Sequence, residues 1–292
     1  MTLLSDKNTK FKQILWILIA VLSMSGFSAV SADTGTQTQI ESHLLSELGI
    51  TSIKKESSTI VTREEFACIL FNMSYARNVY SSGGKFISEQ TMQGGAAAME
   101  FCDANGYINA EDGIFHAGYP VLQSEAVEAF VKLLGYADII QEESDILRYA
   151  AESGLLEGIS YNAEYPMEAR EMFAMAENAL SADIVVTNVS GNNKTYTICE
   201  DKNLLSEIFD VYETKGIVNA TEYAALGMYE RAVKDAIIIG NQEYMCPNTD
   251  TFNLTGKNVK AYYKWEQNAD TGTIVYIEEK DNRTVSVTDV DI

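Results

Sequence analysis

The sequence predicts a multidomain chain: an all-α bundle of three helical repeats with pseudo-threefold organisation, followed by a small α+β domain with antiparallel strands. Three observations lead there. A glycine-ended amphipathic helix, a loop and a second amphipathic helix recur three times before residue 183. After Asp183 the texture changes to alternating, strand-like runs. The composition, 46% hydrophobic and 22% charged over 292 residues, is that of a globular protein long enough for more than one domain. The expected boundaries are 1–32 for an export segment, 33–183 for the repeats (about 39–77, 96–138 and 144–182) and 184–292 for the C-terminal module.

The first element is not part of the fold. Lys7, Lys10 and Lys12 precede the uncharged run ILWILIAVLSMSGFSAVSA, which closes on small residues around Val30 and Ala32. A positive n-region, an apolar h-region and a small-residue cleavage site describe a secretory signal peptide. The run from Gln13 to Ala32 is nearly long enough to be an uncleaved anchor. Its C-terminal half is rich in Ser, Gly and Ala, which favours cleavage after Ala32. The expected location is therefore extracellular, with no membrane contact after cleavage. The formal charge of −21 repels nucleic acid and anionic lipid.

The first helices are HLLSELGI, AMEFCDANGYI and ILRYAAESGLLEGI, running into Gly49, Gly106 and Gly154. Glycine closes helices because it accepts a left-handed backbone. The second helices, anchored on Arg63, Ser124 and Arg170, place positions +3, +6, +7 and +10 on one stripe. These are Phe66, Ile69, Leu70 and Met73; Val127, Phe130, Val131 and Leu134; and Phe173, Ala176, Glu177 and Leu180. Only Glu177 is not apolar. One helix–loop–helix of this size cannot bury its stripe alone, so the three are expected to share a core.

The run DANGYINAED has the flavour of a calcium loop, but Gly106 falls two positions early and Tyr107 sits where an oxygen ligand belongs. It cannot wrap the 6–8 oxygens calcium takes and reads instead as a helix end and loop. His43 and His116 lack ligand spacing, and no cofactor or metal is expected. Cys68 and Cys102 lie among apolar helical residues; Cys199 and Cys246, in an exported chain, either pair or stay free.

The run VTREEF, opening an amphipathic helix behind a glycine-ended helix and loop, resembles the surface-layer homology repeat of bacterial envelope proteins. EDGIFHAGYP is similar to that family's inter-helix loop. The resemblance covers about residues 39–183. It implies three repeats whose inter-repeat grooves bind secondary cell-wall polysaccharide, often pyruvylated, and so a cell-wall or surface-layer protein without enzymatic activity. Other surface-layer proteins are a second class of partner. The family's Thr-Arg-Ala-Glu-like tetrapeptide falls on Thr62, Arg63, Glu64 and Glu65 in repeat one. In repeat two it falls on Gln123, Ser124, Glu125 and Ala126, without the Arg, and in repeat three on Ala169, Arg170, Glu171 and Met172. The ligand-binding residues so implied are Thr62, Arg63, Glu64, Glu65, Gln123, Ser124, Glu125, Arg170 and Glu171. A pyruvate ketal is a carboxylate, which Arg bonds bidentately and a helix N-terminus favours. The same Thr62–Glu65 spacing is also a capping box, so the motif has a purely structural use.

In the C-terminal third, IVVTNVSGNNKTYTICE reads as two strands about a turn at Gly191–Asn193. NLLSEIFDVYETKGI reads as an amphipathic helix ended by Gly216. DAIIIGNQEYMC, NVKAYYKWEQ, TGTIVYIEEK and RTVSVTDVDI read as further strands, with a turn at Asp270–Gly272. Tyr262, Tyr263 and Trp265 fit either sugar stacking or alternating strand burial. No nucleophile elbow, zinc motif, P-loop or dinucleotide fingerprint is present. Acidic pairs such as Glu142–Glu143 and Glu278–Glu279 suit a solvated surface better than a glycosidase dyad. The expected function is noncovalent anchoring to the wall. The alternatives are the N-terminal part of a larger surface enzyme or adhesin, and a protein-interaction module.

Overall fold

A computed structural model describes residues 39–86, 94–191, 193–247, 249–265 and 269–280. The export segment and the run RTVSVTDVDI lie outside the described residues. The described residues from Gln39 onward form one compact unit.

Its helices are α1 (His43–Glu47), α2 (Arg63–Asn72), α3 (Gly95–Ala104), α4 (Gln123–Leu133), α5 (Glu143–Glu152), α6 (Ala169–Ser181) and α7 (Leu204–Phe209). The short strands β1 (Gln39–Ile40) and β2 (Lys55–Glu56) pair beside the first helices. Further on, β3 (Ile184–Ser190) and β4 (Asn193–Cys199) form a hairpin. The strands β5 (Tyr212–Thr221), β6 (Ala236–Ile239), β7 (Gln242–Met245), β8 (Asn258–Trp265) and β9 (Gly272–Glu279) close a barrel in the order β5-β6-β7-β9-β8.

The helix pairs form as their sequences direct. Gly49, Gly106 and Gly154 follow α1, α3 and α5 with φ of +66°, +65° and +78°. Asp103, in the stretch that resembles a calcium loop, is spent on the Ala110 N–H at 2.7 Å and on Lys85.

The segments entering α2, α4 and α6 meet around an axis. Val61 N–H donates to Met167 O (2.9 Å), Met167 N–H to Val121 O (2.8 Å) and Val121 N–H to Val61 O (3.0 Å), a closed cycle of main-chain bonds. All three residues are fully buried. Isolated bridges repeat the cycle one residue to either side: Thr62 with Pro120, Leu122 with Pro166, Glu168 with Ile60. Phe66 and Phe130, both 0% exposed, meet edge to face nearby, 5.3 Å between ring centres.

This cycle corrects the alignment read from the sequence. It equates Arg63 with Gln123 and Ala169, not with Ser124 and Arg170. Positions +3, +6, +7 and +10 then become Phe66, Ile69, Leu70 and Met73; Ala126, Ala129, Phe130 and Leu133; and Met172, Met175, Ala176 and Ala179. All are apolar, and Glu177 leaves the stripe. Position +9 supplies independent support. Asn72 donates to Ile50 O (2.9 Å), Lys132 to Gly106 O (2.7 Å) and Asn178 to Leu155 O (3.1 Å). In each pair the second helix thus satisfies a carbonyl just past the end of the first.

The predicted fold class does not hold. The chain is α+β, with about 32% helix and 26% strand, rather than an all-α bundle followed by a separate module. Leu204 and Leu205 of α7, Val211 and Tyr262 of β8 belong to the same apolar cluster as the helix cores. A smaller cluster of Val218, Ile237, Ile239, Leu254, Val259 and Ile274, among others, fills the barrel. Strand pairing is not wholly antiparallel: β7 and β9 run parallel, Tyr244 opposite Gly272. The helix expected through Gly216 stops at Phe209, where Asp210 turns left-handed (φ +53°), and the following alternating residues enter β5. All four cysteines are free thiols.

Glu177 lies half-buried where α6 approaches α1 and the barrel. Its Oε1 accepts from the Ser42 hydroxyl at 2.6 Å. Burial raises its carboxyl above the ordinary value of 4.5; the Ser42 bond and Lys260 and Lys280 oppose the rise, and Glu278 adds to it. A raised carboxyl pKa contributes stability below the unfolded value and loses it as pH rises through the folded one. Glu177→Gln is therefore expected to melt higher than the native chain at neutral pH, with the gap closing toward about pH 4. Thermal melts at the two pH values check this.

Candidate functional site

The residues that the sequence singled out lie at the N-terminal ends of α2, α4 and α6. Each end carries a glutamate at its third helical position whose side chain reaches back to the N-cap amide. Glu65 Oε2 accepts from Thr62 N–H (2.9 Å), Glu125 Oε2 from Leu122 N–H (3.2 Å) and Glu171 Oε2 from Glu168 N–H (3.3 Å). In α2 the box is complete, since Thr62 Oγ1 accepts from Glu65 N–H (3.3 Å).

The first helical position then crosses to the next repeat. Arg63 places its guanidinium 3.8 Å from Glu125 Oε1 and donates to Asn109 O at 2.7 Å. Gln123, its equivalent, donates to Glu171 Oε2 (2.8 Å) and accepts from Asn162 N–H (2.8 Å). Ala169 has nothing to send across, and Glu65 is instead held by Lys55 at 2.6 Å, a pair only 14% and 9% exposed. The three glutamates thus form a girdle, each with one further donor. Lys55, Asn109 and Asn162 were not singled out from the sequence. The one available signal for the asparagines was the tripeptide Asn-Ala-Glu, which recurs at 109–111 and 162–164.

The girdle divides the two arginines that the resemblance equates. Arg63 is sealed: 6% exposed, its guanidinium 5.4 Å from the centre of the Phe115 ring, its Nε without a partner among the described residues. Glu64 beside it is fully buried. Arg170 stands one position further along its helix, with its side chain 63% exposed and Nε 3.1 Å from Glu168. Gln123 is 2% exposed and Ser124 half-buried.

The helix N-termini are also less open than free helix ends. Arg63, Gln123 and Ala169 N–H donate to Tyr119, Tyr165 and Thr59 O at 2.8–2.9 Å, and Glu64 and Arg170 N–H to Ala117 and Ser57 O at 3.1 Å. The neighbouring repeat's carbonyls therefore take the amides that an anion would use. Any anion held here depends on side chains.

Two clefts flank the girdle. One, of about 350 Å³, is lined by Ser46, Thr51, Ser52, Glu65 and Asn72 among others, and no cation lines it. The other, of about 280 Å³, is lined by Gly158, Ile159, Ser160, Arg170, Glu171 and Ala174. Only the second joins an exposed guanidinium to a concave surface. It offers a hydroxyl and an exposed guanidinium whose Nε is paired with Glu168, beside the Glu171 carboxylate already engaged by Gln123; the outward nitrogens of the fork suit a small carboxylate-bearing ligand. Among the described residues no helix is long and apolar enough to cross a membrane. No family model matches the chain, and no curated protein matches it.

Proposed function

We propose that this chain is a noncovalent anchor that attaches an exported protein to the bacterial cell wall by holding an anionic, pyruvate-ketal-bearing polysaccharide. The cleft of the third repeat is the binding site. Its exposed Arg170 guanidinium carries the reading. An acidic chain needs a local cation to hold an anion against its own field, and Arg170 is the cation that stands beside a cleft at the girdle. The export-type N-terminus and the thrice-written Gly-ended helix pair support the same reading. Arg63 is assigned a positioning role: it ties α2 to the loop at Asn109 and to Glu125.

Sedimentation of the mature chain with purified walls tests this. Arg170→Ala should lose about tenfold or more in affinity, the scale of one charged hydrogen-bonded contact, with unchanged unfolding. Arg63→Gln, which copies the second repeat, should bind normally, whereas Arg63→Ala should lower stability by about 1–3 kcal/mol. Full binding by Arg170→Ala would end the proposal. Binding that survives removal of the nonpeptidoglycan polymer would move the ligand to peptidoglycan.

A further inference from the structure

The aromatic residues of β8 have no part in the anchor reading, and strand alternation sends them to two faces: Val259, Ala261 and Tyr263 toward the barrel core and Tyr262 toward the helices. Opposite Tyr262 and Tyr263 the register with β9 shifts by one residue, Val275 being the extra one. Tyr262 turns into the core shared with the helices, 2% exposed, while Tyr263 packs on the barrel core. The Tyr263 ring lies 4.9 Å from Tyr244, 5.8 Å from Tyr212 and 5.7 Å from Trp265, the last edge to face at 84°. Room for it depends on Gly272: a Cβ there would lie 2.5 Å from Tyr263 Cδ2.

Four rings from β5, β7 and β8 thus run from the barrel interior to its surface. Tyr244 is 4% exposed, but Tyr212 is 36% and Trp265 42% exposed. Core filling accounts for Tyr244 and Tyr263. It does not account for a tryptophan and a tyrosine left open at the outer end of the run. The two outer rings are held on strands and backed by the half-buried Tyr263 ring, so their faces are preorganised. A polar group adjoins one of them: Tyr212 Oη is 3.4 Å from Asp210 Oδ1.

We propose that Tyr212 and Trp265 form a second carbohydrate site, which takes a pyranose ring of a glycan on their exposed faces. The C–H face of a pyranose matches an aromatic face, and its hydroxyls suit the Asp210 carboxylate, which accepts hydrogen bonds only. Nucleobases also stack on such rings, but the charge of −21 repels their phosphates. The site uses none of the Arg170 cleft and requires no acidic sugar, so it stands apart from the anchor reading.

The chain has two tryptophans, Trp16 and Trp265, so a full-length Trp16→Phe variant reports emission from Trp265 alone. Titration with N-acetylglucosamine and glucose oligosaccharides should change that emission saturably, with dissociation constants of about 1 mM. Tyr212→Ala should weaken binding about tenfold with unchanged far-ultraviolet circular dichroism, and Arg170→Ala should leave the titration unaltered. An emission that stays flat to about 10 mM of both sugars, in a variant that melts like the native chain, overturns the proposal. So does a titration that Tyr212→Ala does not alter. A polynucleotide that saturates the same signal at physiological salt while the sugars do not assigns the rings to bases instead.

Discussion

Gly135→Ala is expected to destabilise the protein by about 2–5 kcal/mol, combining a left-handed backbone cost with a steric overlap. Gly135 follows α4 with φ +91°, and a Cβ there would lie 2.6 Å from the carbonyl oxygen of Val185. That oxygen belongs to β3, whose own Val185 N–H donates to Leu134 O at 2.9 Å. Main chain therefore faces main chain, and neither side has a flexible atom to move. Gly154 is the control: its φ is +78°, but nothing lies within 4 Å of its Cβ position. Gly154→Ala should show only the backbone cost, about 1–2 kcal/mol. Urea unfolding of the two variants compares them directly. Equal losses would refute the steric argument.

Phe130→Ala should cost about 3–5 kcal/mol, the range for emptying a large aromatic site. The side chain is 0% exposed and meets Phe66, from another repeat, edge to face at 5.3 Å. The cavity would open where two repeats meet, so both helices cannot relax into it without disturbing the hydrogen-bonded cycle beside them. Phe66→Ala should cost a similar amount. Because the rings touch, the double variant should lose less than the sum. A full set of equilibrium unfolding curves measures this coupling, and strict additivity would mean that the two rings act independently.

Much of the helical half was legible in the sequence. The three terminating glycines are all left-handed, and the helix pairs lie near the expected positions. The alignment between repeats slipped by one residue in the first, and the reason is physical. An apolar stripe on a helix is wide enough for a shift of one to keep most positions apolar, so matching Arg63 to Arg170 looked sound. Polar groups with fixed partners carry the true register: Glu65, Glu125 and Glu171 on their N-caps, and Asn72, Lys132 and Asn178 on the carbonyls after the first helices. The strand-rich half was harder to read. Leu204, Leu205, Ile208 and Tyr212 have helical spacing, yet the left-handed turn at Asp210 ends α7 before Tyr212 and sends that residue into β5. Nothing local announces that β7 and β9 run parallel, or that Tyr262 of the barrel joins the helix core.

In the three helix pairs the sequence by itself determined where helices start and stop, because caps, left-handed glycines and apolar periods act within a few residues along the chain. Only the tertiary structure decided which arginine meets solvent. Arg63 is covered by a carbonyl 46 residues away and by Glu125 and Phe115 of the next repeat, while Arg170, one helical position on, stays open beside a cleft. One residue along a helix turns a side chain by about 100°, so a shift too small to disturb the apolar pattern is enough to move a guanidinium between the interior and the surface.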